Sequence, residues 1–215
     1  MEKMPYQAHL DVDLVVPVSE VISSDWQHGL PLLSGERVVL RELRLSDAAA
    51  LFAFLTAEEV SRFISPPPDS IEGFERFIRW ALRQRALGAY ACFAVTVDGD
   101  TAVGIFQLRP LTPDFSTAEW GFAIGSPYWG TGVFHESARL VLGFAFDTVG
   151  VRRLEARAAL RNGRGNGALR KIGAVQEGIL RKSFERNGEH LDQALWTILD
   201  SDRQPRGLTW DGPVH

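Results

Sequence analysis

The fold is decided by the stretch EWGFAIGSPYWGTGVFHE, residues 119–136, which leads into a long apolar run. We interpret its first part, up to Gly125, as a strand, and the residues from Gly132 onward as a helix. A Gly-x-Gly turn that joins a strand directly to a helix leaves several backbone N–H groups unpaired, with the positive end of the helix dipole behind them. The stretch therefore predicts a site that binds a phosphate group.

Composition limits the classes of protein to which the chain can belong. Its 215 residues, 45% hydrophobic and 23% charged, predict one well-packed domain with an extension rather than two domains. The formal net charge of −4 argues against nucleic acid or an anionic membrane as a partner. Cys92 is the single cysteine and no apolar signal segment follows Met1, so we expect a cytoplasmic protein without an intramolecular disulfide.

Hydrophobic periodicity predicts the element order β-α-α-β-β-β-α-β-α-β-β. The predicted strands cover residues 38–43, 90–97, 102–109, 116–125, 153–160, 174–181 and 190–199, and the predicted helices cover residues 48–55, 69–88, 132–148 and 164–172. Asp69 and Glu72 have the spacing of a capping box at the start of the second helix. The three consecutive strands between residues 90 and 125 indicate an antiparallel meander.

We divide the chain into an N-terminal arm (1–35), a domain (36–201) and a C-terminal tail (202–215). Residues 14–18 and Trp26 are too apolar for a fully solvated arm. We therefore expect the arm to pack on the domain or on a second subunit, and the second alternative makes the protein a homodimer.

Two common phosphate-binding loops do not fit the turn at Gly130 and Gly132. A P-loop requires Gly-x4-Gly-Lys-Ser/Thr, and this string is absent from the sequence. The dinucleotide-binding fingerprint requires a third glycine where His135 stands, within a parallel βαβ unit, whereas the strand before this turn belongs to the predicted meander.

The element order and the loop resemble those of the GNAT superfamily of N-acetyltransferases. The residues of the motif are similar to those of its RimJ/RimL-like branch, which acetylates the N-termini of ribosomal proteins. The resemblance covers residues 36–201. It implies a single α/β (α+β) domain of the acyl-CoA N-acyltransferase fold, with a mostly antiparallel twisted sheet and helices on both faces. It also implies acetyl-CoA as the donor and no metal, and the sequence contains no cluster with metal-ligand spacing.

The resemblance places the family's pyrophosphate-binding signature on residues 129–134, beginning with Trp129 and Gly130. It implies that the pyrophosphate is bound by the backbone amides of four residues, which are Thr131, Gly132, Val133 and Phe134. The family has a small residue at the last of these positions, so the phenyl ring of Phe134 is predicted to crowd the phosphates.

A second match to the family is Asn162, ten or so residues before the helix end Lys171-Ile172-Gly173-Ala174. The resemblance implies that its amide lies near the pantetheine arm of CoA. It also implies that the sheet splays after the strand of the motif, which frees the main chain of Phe122, Ala123 and Ile124 to bond the pantetheine. An equally supported interpretation is that Asn162 makes a turn and caps the following helix.

Acetyl transfer to an amine requires a base that makes the nitrogen neutral and an N–H donor for the carbonyl oxygen. Glu119 is the predicted base, because it lies on the strand of the motif between apolar residues. The alternative is a solvated strand carboxylate or a member of a structural ion pair. His190 lies near the acceptor side by resemblance and is the candidate for a proton relay. Glu136, in the first turn of the phosphate helix, is predicted to cap it.

Three residues expected from related enzymes are absent, and they leave the protonation of the departing thiolate unassigned. Leu169 stands where many acetyltransferases have a tyrosine acid, and Gly165 and Phe184 stand where the ribosomal branch has a serine and a carboxylate. We predict direct transfer from acetyl-CoA to a primary amine, with a protein N-terminus or a small amine as the acceptor. The alternative is an acyl-CoA-binding sensor of the same fold that has lost turnover.

Overall fold

One eight-stranded sheet organises residues 25–97 and 99–202, the part of the chain that the computed structural model describes. The strands are β1 Leu33–Ser34, β2 Val38–Glu42, β3 Ala91–Val97, β4 Ala102–Pro110, β5 Thr117–Ile124, β6 Arg153–Ala159, β7 Val175–Arg186 and β8 Glu189–Leu199. The helices are α1 Ala48–Leu55, α2 Glu58–Ser61, α3 Ile71–Ala86, α4 Val133–Gly143 and α5 Gly163–Lys171, and α4 continues as a π-helical segment, Phe144–Val149.

The strand order is β1-β2-β3-β4-β5-β6-β8-β7, and every neighbouring pair is antiparallel except β5 and β6. The predicted meander of β3, β4 and β5 is therefore confirmed. The parallel pairing of β5 with β6 extends only from Thr117 opposite Arg153 to Glu119 opposite Glu155. Beyond this point the two strands separate, as the resemblance implies, and the second half of β5 has a free edge toward β6.

The two faces of the sheet carry separate hydrophobic clusters, because successive side chains of a strand point to opposite faces. One face is covered by α1 and α3, where Leu51, Phe74 and Ile78 are buried. The other face is covered by α4 and its π-helical extension, where Val141 and Phe144 are buried. The expectation of a mostly antiparallel sheet with helices on both faces is confirmed, and β5 and β6 form its one parallel pair among the described strands.

The described residues before β1 belong to this fold. Trp26 is 3% exposed and lies edge-on to the rings of Phe115 and Phe144, at centroid distances of 5.8 and 6.3 Å. The last part of the predicted arm therefore packs on the domain. Its earlier apolar stretch at residues 14–18 and residues 203–215 of the predicted tail lie outside the described residues, and the homodimer stays a prediction.

The cap predicted for the helix α3 is wrong by one residue. Ser70, rather than Asp69, has the extended backbone of an N-cap, and its Oγ accepts a hydrogen bond of 3.1 Å from the backbone N of Gly73.

The capping role predicted for Glu136 is also wrong. Its carboxylate accepts hydrogen bonds from the backbone N of Glu36 and of Arg37, at the turn between β1 and β2. The preceding Gly35 has no room for a side chain, because a Cβ there would lie 2.1 Å from Oε1 of Glu136. Glu136 therefore ties the start of α4 to this turn.

Candidate active site

The turn that leads into α4 presents a row of unpaired backbone amides. Gly130 and Gly132 have φ angles of 76° and 92°, which glycine adopts without the steric penalty of a Cβ atom. Within residues 25–97 and 99–202, no hydrogen-bond acceptor pairs with the backbone N–H groups of residues 130–135. The helix α4 begins at Val133, so its positive end lies behind these amides. The turn has the geometry of an anion-binding site.

The amide row forms part of the wall of a cavity of about 740 Å³. The other walls come from the end of β5, from α5 and from the segment around α2. The lining residues are Glu59, Val60, Phe63, Ile64, Phe122, Ala123, Ile124, Trp129, Gly130, Gly132, Phe134, His135, Asn162, Gly163, Arg164, Gly165, Gly167, Ala168 and Lys171. The cavity thus lies beside the free edge of β5, where the sheet splays.

Most of the residues predicted to bind the donor line this cavity, and they are Phe122, Ala123, Ile124, Trp129, Gly130, Gly132, Phe134 and Asn162. Two do not. The side chain of Val133 is 3% exposed and packs in the core, and the hydroxyl of Thr131 donates to the carbonyl O of Tyr128 at 2.7 Å. Their backbone amides nevertheless belong to the unpaired row.

The ring of Phe134 packs against the sheet. Its centroid lies 4.6 Å from that of Phe122 and 5.8 Å from that of Phe106, which is fully buried. The backbone amide of Phe134 stays unpaired at the same time. The predicted crowding of phosphates by this ring stays a prediction.

Asn162 caps α5 and also lines the cavity. Its Oδ1 accepts a hydrogen bond of 2.9 Å from the backbone N of Gly165. A Cβ at position 165 would lie 2.6 Å from Nδ2 of Asn162, so this capped geometry favours glycine there. The capping interpretation of Asn162 is confirmed, and its contact with pantetheine stays a prediction.

Glu119 lies in an ion-pair cluster rather than in the cavity wall. Its Oε2 is 2.7 Å from Nη2 of Arg109 and 3.7 Å from Nη1 of Arg157, and its side chain is 19% exposed. Strand alternation places Glu119 on the same sheet face as Ala123, which lines the cavity, ~13 Å further along β5. The arrangement matches the ion-pair alternative, and the role of Glu119 as a base stays a prediction.

His190 does not line the cavity either. It lies at the exposed start of β8, opposite Glu185 of β7. The relay role of His190 stays a prediction.

The sequence interpretation missed two groups of residues in the cavity wall. One is the short segment with Glu59 and Phe63, and the other is the exposed face of α5 with Arg164 and Lys171. The hydroxyl of Ser126 donates a hydrogen bond of 2.7 Å to Oε1 of Glu59 and lowers the pKa of that carboxyl. The helix α2 has only four residues, too few for its periodicity to be detected.

In the described residues no three His, Cys, Asp or Glu side chains group as metal ligands do. None of the helices described is long and apolar enough to cross a membrane.

Comparisons with known proteins bear on this fold and site. A family model described as an acetyltransferase (GNAT) domain matches residues 37–175. The uncharacterized N-acetyltransferase YoaA of Bacillus subtilis is 27% identical over 79% of the chain and 97% of its own length. YdaF of the same organism, assigned provisionally as a ribosomal N-acetyltransferase, is 24% identical over 82% of the chain and 95% of its own length.

The structure of RimJ of Mycobacterium smegmatis in complex with CoA-disulfide superimposes with a TM-score of 0.70 at 21% identity, over 77% of the chain and 83% of RimJ. This likeness supports the fold. The family model matches more than half of the chain, and the chain therefore belongs to the GNAT family of acetyltransferases. The protein is thus an acyltransferase of the N-acetyltransferase class.

Proposed function

We propose that the protein transfers the acetyl group of acetyl-CoA directly to a primary amine, and that a protein N-terminus is the first acceptor to test. The observation that carries the proposal is the row of unpaired amides at residues 130–135, at the positive end of α4 and beside the free edge of β5. A donor with a pyrophosphate and an extended arm that contains amides matches both features. The pyrophosphate suits the amide row, which is an anion site, and the arm suits the unpaired edge of β5.

The chemistry asked of the protein is positioning and proton removal. The amine nitrogen forms a bond with the acetyl carbonyl carbon as the bond from that carbon to sulfur breaks, and the thiolate leaves with the electron pair. The main-chain N–H groups near the end of β5 are the proposed donors to the carbonyl oxygen. Burial raises the pKa of the Cys92 thiol, so this group does not supply a thiolate nucleophile.

The charges around the cavity agree with an anionic donor and a cationic acceptor. Arg164 and Lys171 lie on the α5 side, whereas Glu59 is the one acidic residue among the described residues that line the cavity. We propose that the acceptor ammonium enters on the Glu59 side and that its proton leaves through water toward Glu119. A protein N-terminus is supported by the provisional assignment of YdaF as a ribosomal N-acetyltransferase.

The test is a calorimetric titration with acetyl-CoA, with free CoA and ATP as controls, followed by mass-spectrometric detection of acetylation. The acceptors are peptides with free Ala or Ser N-termini, the same peptides with blocked N-termini, and a small polyamine. We expect micromolar binding of acetyl-CoA, little binding of ATP, and a gain of one acetyl group on the unblocked peptides. Binding without transfer to any amine would favour the sensor alternative, and absence of binding would refute acetyl-CoA as the donor.

A further inference from the structure

A cation–π contact joins two walls of the cavity. The guanidinium carbon of Arg164 lies 4.2 Å from the ring centroid of Trp129. Trp129 belongs to the turn before α4, and Arg164 lies in the first turn of α5. Both residues line the cavity, so the contact links the wall formed by the turn before α4 to the wall formed by α5.

Trp129 is anchored by a hydrogen bond, whereas Arg164 is an exposed side chain in the cavity wall. The indole Nε1 of Trp129 donates a hydrogen bond of 2.8 Å to the carbonyl O of Ile124. Arg164 is exposed and forms no ion pair with any carboxylate in the part of the chain that the structure describes. A Cβ atom at Gly163 or at Gly167 would meet no atom within 4 Å, so the surface of α5 at these two positions is open.

The position of Arg164 is unfavourable for the helix by itself. A cation in the first turn is repelled by the positive end of the helix dipole, and α5 has no acidic residue there to offset it. The contact with Trp129 is exposed, where cation–π attraction is weak. A residue that breaks a local rule in this way is often explained by function. Arg164, Lys171 and the positive ends of α4 and α5 together make one side of the cavity positive, and an anion bound there would neutralise this charge.

We infer that Arg164 has two positions: it covers Trp129 in the free protein, and it binds a phosphate of the CoA donor when the donor displaces it. The inference rests on the proposed function, because it takes acetyl-CoA as the ligand. Arg164 is then a binding residue that selects donors carrying phosphate over the bare acyl-pantetheine thioester. Its planar guanidinium suits a phosphate because two N–H groups can bond two oxygens at once.

The test compares R164Q with R170Q. Arg170 lies on the same helix and stacks at 5.6 Å on Trp196, but it does not line the cavity, so it is a matched control. Calorimetry measures the Kd of each variant and of the wild type for acetyl-CoA, acetyl-dephospho-CoA and S-acetylpantetheine. We expect R164Q to weaken acetyl-CoA binding about tenfold, which is the loss of one charge-assisted hydrogen-bonded contact, and R170Q to leave it unchanged.

The truncated donors identify the phosphate. If Arg164 binds the 3′-phosphate, the tenfold difference disappears with acetyl-dephospho-CoA. If Arg164 binds the pyrophosphate, the difference remains with acetyl-dephospho-CoA and disappears with S-acetylpantetheine. Either result supports the inference.

Tryptophan fluorescence gives a second readout. Subtracting the fluorescence of W129F from that of the wild type isolates the emission of Trp129. This emission should change when acetyl-CoA removes the stacked guanidinium of Arg164. In R164Q the change that comes from losing the guanidinium should be absent. Equal affinities of the wild type and R164Q for acetyl-CoA would overturn the inference and leave the proposed function standing. No binding of acetyl-CoA by the wild type would overturn both.

Discussion

Gly130 and Gly132 show how single residues create the anion site. Both have positive φ angles, and neither has a close neighbour that would exclude a Cβ atom, since the nearest atom to a Cβ at position 132 is Nη1 of Arg37 at 3.7 Å. Glycine is therefore favoured here by backbone conformation and not by space. The result is a turn whose backbone N–H groups have no acceptor among the described residues.

G132A is expected to destabilise the protein by about 1–2 kcal/mol, the cost of placing a Cβ residue in the left-handed region. It should also weaken acetyl-CoA binding, because relaxation of the strained turn moves the amides of residues 131–134. Gly178 is the control: it lies in β7 with open space around it and no positive φ, so G178A should preserve binding. Urea denaturation and calorimetry measure both effects. Wild-type stability and affinity in G132A would refute the role of the turn.

The second prediction at this scale separates the two interpretations of Glu119. Glu155 lies opposite Glu119 in the β5–β6 register and is 2.8 Å from Arg153, so E155Q removes a comparable ion pair without removing the proposed base. We expect E119Q and E155Q each to cost about 1 kcal/mol of stability. Only E119Q should lower the rate of transfer, by about 10²–10⁴-fold, the range for loss of a general base.

Rates measured under single-turnover conditions across pH 6–9, beside thermal melting of both variants, check this prediction. If E119Q and E155Q change the rate equally, Glu119 is a structural residue and the base lies elsewhere.

At the scale of elements, Arg153 of β6 forms an ion pair with Glu177 of the edge strand β7, across the intervening strand β8. Its guanidinium bonds both carboxylate oxygens of Glu177 at 2.6 and 3.0 Å, and the hydroxyl of Thr197 donates to the same carboxylate at 2.7 Å. The Arg153 hydrogen bonds, followed by that of Thr197, lower the pKa of Glu177 from its ordinary value of 4.5 to about 2. The charged carboxylate therefore stabilises the folded state.

This shift predicts the pH dependence of stability. The unfolded chain takes up the proton near pH 4.5 and the folded chain only near pH 2, so the stabilisation is complete above pH 4.5 and is lost as the pH falls toward 2. E177Q should lower the stability at pH 7 by no more than about 1 kcal/mol, since the pair is partly exposed. The melting temperatures of wild type and E177Q should converge as the pH falls from 4.5 to 2.

The control is E189Q, which removes the more exposed pair of Glu189 with Arg161. Its effect on the melting temperature should be smaller than that of E177Q at pH 7. A difference in melting temperature between wild type and E177Q that stays constant down to pH 2 would contradict the lowered pKa of Glu177.

At the scale of the whole molecule, residues that are distant in the chain pack together in the hydrophobic cluster on one face of the sheet. Trp26 lies against Phe115, from the β4–β5 connection, and against Phe144, from the π-helical segment. We expect W26A to cost about 3–5 kcal/mol, because a large buried aromatic side chain leaves a cavity. W26F keeps an aromatic ring and should cost less. Urea denaturation measures both, and a cost below 1 kcal/mol for W26A would contradict the assignment of Trp26 to the core.

The elements that could be predicted are those with a local signal. The strands and helices from β2 to β8 have periodicities long enough to detect, apart from the four-residue α2. The two-residue β1 also escaped prediction, because a strand this short is defined by its partner β2. The N-cap of α3 was misplaced by one residue because Asp69 and Ser70 are both good capping residues, and the backbone angles decide between them.

The sequence by itself determined the turn at Gly130 and Gly132, the meander before it and the family, because these depend on residue types at short spacing. Only the tertiary structure decided that Glu119 pairs with Arg109 and Arg157, and that Arg164 stacks on Trp129. Such contacts join residues tens of positions apart, or neighbouring strands in one register. They follow from the packing of the whole sheet and its helices, which no local pattern contains.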